Sequence, residues 1–137
     1  FQGEFTDFDI KGNKVFSGNF DEGKLNGLCT FFYEDNKVKE IGKYNHGVRD
    51  SIWTFYYSNG QIEKIISYDN GLPYVESLFK SNGKQLIING TGEYVGSIYK
   101  DNGKRIKYRI KGELLKGKLN GKWKIIGVTQ EKFNNGT

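Results

Sequence analysis

The stretch GKLNG at residues 23–27 decides the fold, because it recurs at residues 117–121 and each copy precedes an apolar or aromatic run. Comparing the sequence with itself reveals further recurrences at an interval of 24 residues, such as Gly18 with Gly42 and Cys29 with Trp53. Glycines and anchoring aromatics define the repeated positions: Gly18, Gly23, Gly42, Gly47, Trp53, Gly60, Gly71, Gly112, Gly117 and Trp123. This regularity predicts an array of one small unit.

Each unit has the pattern of a β-hairpin. Asn-Gly dipeptides, for example at residues 26–27 and 70–71, separate short runs and favour tight turns in which both residues have positive φ. Within the run WTFYYS, Trp53 and Phe55 point to one side of a strand, and Tyr56 points to the other. No segment has a helical period. We therefore predict an all-β fold, an antiparallel meander of repeated β-hairpins that forms an elongated, twisted sheet.

Three segments resemble MORN repeats, in particular the bacterial MORN variant: FSGNFDEGKLNGLCTFFYEDN, EIGKYNHGVRDSIWTFYYSNG and KGELLKGKLNGKWKII. The resemblance covers roughly residues 5 to 126. Two units depart from the family pattern, one at Leu72-Pro73-Tyr74 and one in the shortened stretch NGTGEYVGSIYKDNG. The resemblance implies the hairpin sheet and, more loosely, roles in phosphoinositide-membrane binding, dimerisation and scaffolding. Some bacterial relatives carry an antitoxin label, and the motif contains no catalytic residue.

The repeat pattern also sets the expected domain limits. We predict one MORN-variant repeat domain at residues 5–127, followed by a polar segment at residues 128–137. Residues 1–4 begin with Phe rather than Met, and Phe1-Gln2-Gly3 matches the remnant of a common protease-cleavage tag. Those residues are therefore either tag-derived or native. Whether a signal peptide precedes them is a question that the sequence leaves open.

Composition favours a binding protein over an enzyme. The chain has a single histidine, His46, placed beside a turn glycine, and a single cysteine, Cys29, at the position of an anchoring tryptophan. We interpret His46 as a solvated loop residue and Cys29 as a small buried apolar residue. Neither a nucleophile with its base nor a cluster of metal ligands is present, so we predict no catalytic site, metal or cofactor. No apolar run reaches transmembrane length.

Charge is distributed unevenly along the chain. Residues 1–96 have a net charge of −3, and residues 97–137 have a net charge of +8. In a strand covering KRIKYRIK, alternate cations would share one face. We predict that this strand and the following one bind the partner through Arg105, Lys107, Arg109, Lys111, Lys122 and Lys124. The structural alternative is a solvated edge strand whose lysines prevent aggregation.

Aromatic residues supply a second candidate surface. The regular series that contains Phe20, Tyr44 and Tyr68 is expected to form the core, because a hairpin buries its face only against a neighbour. Phe32 and Tyr56 are predicted on the face opposite Trp53, where exposed rings would bind a sugar or unpaired bases. Solvated sheet faces also carry such residues, so both interpretations stay open.

These patterns together predict that the chain is a non-enzymatic repeat-type binding or scaffold module. We expect it to engage an acidic protein or an anionic membrane surface through the basic C-terminal strand. The alternatives are nucleic-acid or glycan binding through the exposed aromatics, with nucleic acid less favoured than an acidic protein or an anionic surface, or antitoxin-like neutralisation of a partner. Self-association through end strands fits the open array. A bacterial cytoplasmic or cell-envelope location is compatible with the sequence.

Overall fold

The computed structural model describes residues 2–101 and 105–131, without the side chains at positions 98–101, 105, 106, 119, 130 and 131. All of its regular structure is β-sheet. The strands are β1 (Gly3–Phe8), β2 (Lys14–Asp21), β3 (Lys24–Leu25), β4 (Gly27–Phe32), β5 (Val38–Asn45), β6 (Val48–Tyr56), β7 (Ile62–Asp69), β8 (Leu72–Phe79), β9 (Gln85–Ile88), β10 (Thr91–Asp101), β11 (Arg105–Leu115) and β12 (Lys118–Glu131).

The strands form one open sheet in sequence order. Every pair is antiparallel, and the path runs from β1 through β2 and β4 to β12, with the short β3 paired to β2. This topology confirms the predicted meander of hairpins. Strand β1 begins at Gly3, and β12 continues to Glu131, four residues past the predicted limit at 127. Within the described ranges, no helix has the length and hydropathy needed to cross a bilayer.

The tight turns depend on paired positive φ angles, which the right-handed twist of hairpin strands favours. Among the described residues, five two-residue turns have this geometry: Glu22-Gly23, His46-Gly47, Asn70-Gly71, Asn89-Gly90 and Lys116-Gly117. The expectation for Asn-Gly was therefore only partly right. Of these turns two contain it, whereas Gly27 and Gly121 adopt positive φ at irregularities beside or within strands. The register, and not the dipeptide alone, selects the turn.

The core of the first repeats is made by aromatic rings that lie over glycines. A Cβ on Gly42 would overlap the indole of Trp53, and a Cβ on Gly18 would lie 2.6 Å from the Phe16 ring. The Trp53 side chain is fully buried, and its Nε1 donates a hydrogen bond to the carbonyl of Lys43 at 2.9 Å. The absence of a side chain at these glycines lets a single sheet bury large rings on its own face.

Cys29 belongs to the same cluster as Phe16 and Trp53. Its side chain is fully buried, which confirms the interpretation of this residue as a small apolar core residue. Burial raises the pKa of the Cys29 thiol, because the thiolate would be poorly solvated there.

A second cluster consists of Leu78, Ile87 and Leu114, with Tyr94 and Trp123 packed against it. The 24-residue period of the sequence also predicts Phe79 at the core position of Phe31 and Phe55, and this prediction was wrong. A register shift between Ile65 and Ile66 opposite β8 sets Leu78 across from Lys64, so Leu78 is the buried residue. At this irregularity β8 has one residue more than β7, whereas β6 has two more than β5 at the corresponding place. A difference of one residue exchanges the two faces of a strand.

Tyrosine side chains connect neighbouring repeats at the longer turns, which lie at the end of the hairpins opposite the two-residue turns. The hydroxyl of Tyr33 donates to the carbonyl of Tyr56, and that of Tyr57 donates to the carbonyl of Phe79, each at 2.6 Å. These bonds join each long turn to the next strand pair, so the stack has a polar connection as well as an aromatic core.

Replacing Gly42 with alanine tests the ring-on-glycine packing. We expect Gly42→Ala to lower the free energy of unfolding by about 1–3 kcal/mol, because the new methyl group displaces the Trp53 ring. Gly127→Ala is the matched control, since its Cβ would meet only ordinary contacts of 3.7 Å or more. Equilibrium urea unfolding measures both, and equal stability of the two variants would contradict the packing argument.

Burial of Cys29 makes a separate prediction about its chemistry. In the folded protein at pH 8, we expect a thiol reagent to react with Cys29 at least about tenfold more slowly than in urea-unfolded chain. Both low access and the raised pKa act in this direction. Absorbance of the released thiol chromophore follows the reaction, and equal rates in the two states would show that the thiol is accessible.

Candidate functional site

A groove opens where β10 separates from β9. The two strands pair only at Thr91 with Ile88 and at Gly92 with Ile87, although β10 continues to Asp101. Gly92 has φ +146°, and a Cβ there would overlap the carbonyl oxygen of Leu86. Glycine is therefore required at this separation point, and the rest of β10 pairs with β11 alone.

The groove has a volume of about 420 Å³, within the range of small-ligand sites. One side comes from strands β5 to β8 and the turn residue Tyr33, and the other from β10 and β11. Its lining residues are Tyr33, Lys39, Glu40, Phe55, Tyr56, Glu63, Lys64, Leu78, Tyr94, Val95, Gly96, Ser97, Lys107 and Arg109. The groove therefore brings the predicted aromatic residue Tyr56 together with two predicted cations, Lys107 and Arg109.

Tyr94 shows that β10 lies close to the earlier repeats. Its ring packs with Trp123 at a centroid distance of 5.7 Å and belongs to the cluster around Leu78. Burial raises the pKa of the Tyr94 hydroxyl, and the charges of Glu63 and Tyr68 on β7 raise it further. Two strands, β8 and β9, separate β7 from β10 along the sheet. Tyr94 and Glu63 nevertheless line the same groove.

Positive charge dominates the groove. Glu40 is paired with Arg49, and Glu63 lies 3.7 Å from Lys64, so both lining carboxylates already have a cation. Lys39 lies 5.8 Å from the Tyr33 ring centroid. In the described part of the chain, Lys39, Lys107 and Arg109 form no ion pair with a carboxylate. The groove therefore suits an anionic ligand that also contacts aromatic rings.

Arg49 is a site residue that the sequence reasoning missed. It occupies the repeat position of Leu25 and points to the aromatic core, where its guanidinium lies 4.1 Å from the Trp53 ring centroid. Three further rings surround it at 5.6–5.9 Å: Tyr44, Phe55 and Tyr68. Its Nη1 is buried and has no hydrogen-bond partner in the structure. The available signal was a charged residue at a repeat position that is otherwise apolar.

The remaining predicted cations lie mainly beside a second groove of about 290 Å³. Lys111 stands directly opposite Lys124 in the register of β11 and β12, and Lys122 lines the same groove. All three side chains are exposed. Glu93 lies 3.7 Å from Lys111, and Glu113 also lines this groove. These residues form a surface of mixed charge in which cations are in excess.

Three other predicted residues lie elsewhere. Arg105 is the first residue of β11, and its side chain is outside the described part. Phe32 is half-buried, with the Lys14 ammonium 5.9 Å from its ring centroid, and it does not line either groove. Trp123 packs over Gly112, and its Nε1 is buried without a hydrogen-bond partner in the structure.

His46 and Cys29, the two side chains considered for nucleophilic chemistry, lie in different surroundings. His46 is exposed in its turn and contacts the Asn45 side chain at 2.6 Å, which agrees with a solvated loop residue. Cys29, in contrast, is fully buried in the aromatic core. No group of three or more His, Cys, Asp or Glu that would hold a metal ion occurs in the described ranges.

The pair Arg49–Glu40 makes a prediction for a double-mutant cycle. We expect Arg49→Leu to lower the free energy of unfolding by about 1–3 kcal/mol, because Glu40 then stays half-buried without its partner. In the Glu40→Gln background, the same change should cost at least about 1 kcal/mol less. Urea unfolding of the four proteins measures this coupling. Additive effects of the two substitutions would show that the pair is not energetically coupled.

Comparison with known proteins agrees with the repeat architecture. Residues 25–46 and 49–70 each match the MORN repeat variant, and the two matches start 24 residues apart. These segments cover the strands from β3 to β7, including Trp53 and Arg49. No curated protein and no solved structure matched the chain. The chain thus contains two matched MORN-variant repeats within a longer array of hairpins, an architecture that suggests a repeat-type binding or scaffold module.

Proposed function

We propose that this chain is a non-enzymatic binding module that engages an acidic protein surface through the basic face of β11 and β12. The contact residues are Lys107, Arg109, Lys111, Lys122 and Lys124, with Arg105 on the same strand. The observation that carries the proposal is the direct opposition of Lys111 and Lys124. Like charges directly opposite each other destabilise a sheet, and the one carboxylate paired with Lys111 among the described residues, Glu93, leaves Lys124 for an anionic partner to neutralise.

Charge segregation along the chain supports the same interpretation. Residues 97–137 carry a net charge of +8 and residues 1–96 a net charge of −3, so the two parts of the chain have opposite net charge. Such a distribution orients an acidic partner toward the C-terminal strands and accelerates association at low salt. Glu93 and Glu113 among the lysines favour a protein partner of mixed charge over a uniformly anionic membrane.

A second candidate function rests on the position of Tyr56. Its half-buried ring lines the same groove as Lys107 and Arg109, and a ring beside cations is a common site for stacking an unpaired base. This arrangement favours single-stranded nucleic acid over a neutral glycan as the alternative ligand. It is secondary because the aromatic rings that line the groove, Tyr33, Phe55, Tyr56 and Tyr94, are all half-buried, which reduces the area available for stacking.

Neutralising the basic face tests the proposal. We expect glutamine at Lys107, Arg109, Lys111, Lys122 and Lys124 to weaken binding of a polyglutamate peptide at least about tenfold at low salt. The matched control carries glutamine at five exposed lysines of the other half, namely Lys11, Lys24, Lys43, Lys80 and Lys84. It has the same net charge and should retain affinity within about threefold.

Fluorescence anisotropy of the labelled peptide at increasing salt gives the affinities. Equal losses in the two variants would overturn the proposal, because net charge alone would then explain binding. Phosphatidylserine vesicles and a single-stranded oligonucleotide are measured in parallel. Selective binding of either probe in place of polyglutamate would replace the acidic protein with that class of ligand.

A further inference from the structure

The side of β10 that faces away from β11 carries an unused strand edge. In an antiparallel sheet, alternate residues direct their N–H and C=O groups to opposite sides of the strand. β11 satisfies one side of β10 from Gly92 to Asp101, whereas β9 reaches the other side only at Thr91 and Gly92. In the described structure, no strand pairs with residues 93–101 on that second side. Free edges of this kind accept an additional strand.

This edge lies in the groove. Four consecutive residues of β10, Tyr94 to Ser97, line it. Consecutive residues of a strand point their side chains to opposite faces. When all four line one cavity, the cavity is bordered by the edge of the strand and its backbone as well as by one face. The position therefore offers backbone hydrogen-bonding groups to a ligand.

Gly92 keeps the edge open. Its positive φ and the nearby carbonyl of Leu86 turn β10 away from β9 directly after the two paired residues. The separation is thus a property of the backbone at one position. Two residues later, Tyr94 packs against Trp123 and holds β10 in this position.

The charges beside this edge select the kind of strand that would bind. Lys107 and Arg109 on β11 and Lys39 on β5 line the groove without a paired carboxylate in the described part of the chain. Phe55 and Leu78 supply apolar surface on the side of the earlier repeats. A segment in which acidic and apolar residues alternate would match both features, since its side chains alternate in the same way.

We propose that the groove binds an extended acidic peptide of a partner protein, which adds as a strand to the free edge of β10 at Tyr94–Ser97. The inference rests on the proposed function, because it takes the acidic protein as the partner and adds how and where one segment of it binds. Main-chain hydrogen bonds provide affinity in this mode, and the flanking side chains provide specificity.

The outer strands β1 and β12 also end the sheet and compete with β10 as docking edges. Strand β12 exposes Ile125 and Val128, each 62% accessible, which suits an apolar partner strand. The groove beside β10 combines a strand edge with three cations, Lys39, Lys107 and Arg109, that form no ion pair among the described side chains. An acidic segment is therefore expected there, and a second copy of the chain at β12 is a competing outcome of the test.

The probe is an acetylated and amidated peptide of about eight residues in which Glu and Val alternate. Two analogues carry backbone N-methyl groups, one on the Glu residues and the other on the Val residues. We expect the unmodified peptide to bind and one analogue to bind at least about tenfold more weakly, because one set of amides faces β10. Hydrogen exchange followed by NMR should show new protection at alternate amides within residues 93–97.

Two protein variants locate the site. Lys107→Gln with Arg109→Gln should reduce peptide affinity at least about tenfold, whereas Lys24→Gln with Lys43→Gln, two exposed lysines outside both grooves, should retain it within about threefold. If both analogues bind as the unmodified peptide does while the groove variant loses affinity, strand addition is refuted and the proposed function stands. If no peptide binds and neither variant changes polyglutamate binding, both fail. Protection at β12 amides, or peptide-induced dimers in sedimentation, would also refute the β10 site.

Discussion

The structure depends on the packing of an aromatic ring over a glycine of the neighbouring strand. A single sheet has no second layer to cover it, so it needs large side chains that cover the backbone of the sheet itself. Trp53 over Gly42 and Trp123 over Gly112 provide this cover, and a methyl group at either glycine would occupy the space of the indole. The recurrence of glycine and ring together, rather than of either alone, makes the repeats a structural unit.

The break in this packing coincides with the groove. Ile66 stands 24 residues after Gly42, at the repeat position where a glycine would accept a ring, and it is buried. The core then changes from rings around Trp53 to the aliphatic residues Leu78 and Ile87. The next strands are irregular, with a four-residue β9 and the separation of β10 at Gly92. The irregular unit between the well-formed repeats is therefore what produces the concave site.

The sequence predicts the regular part of this arrangement and fails at the irregular part for a definable reason. Periodicity identifies the hairpins, the burial of Cys29 and the role of Trp53, because each depends on residues near in sequence or one period apart. Register shifts are different, since an irregularity in β8 that is one residue shorter than the one in β6 replaces Phe79 with Leu78 in the core without any mark in the local pattern. Asn-Gly is likewise compatible with a turn or with an irregularity in a strand.

The candidate site was predicted only as separate pieces for the same reason. The alternation of KRIKYRIK indicates a basic strand, and WTFYYS places Tyr56 opposite Trp53, but nothing local brings Tyr56 close to Lys107 and Arg109. These residues come together because of the path of β10 after Gly92 and because Tyr94 packs against the cluster around Leu78.

The charge of the groove follows from the core as much as from the basic strand. Arg49 lies among four aromatic rings and pairs with Glu40, so it removes one of the two groove carboxylates from competition with a ligand. A leucine there, as at position 25, would leave the Glu40 charge to oppose an acidic ligand. A guanidinium stacked on Trp53 thus contributes to the core and sets the electrostatics of the groove beside it. The departure from the apolar pattern at position 49 therefore favours binding of an anion in the groove, because Arg49 neutralises Glu40 there.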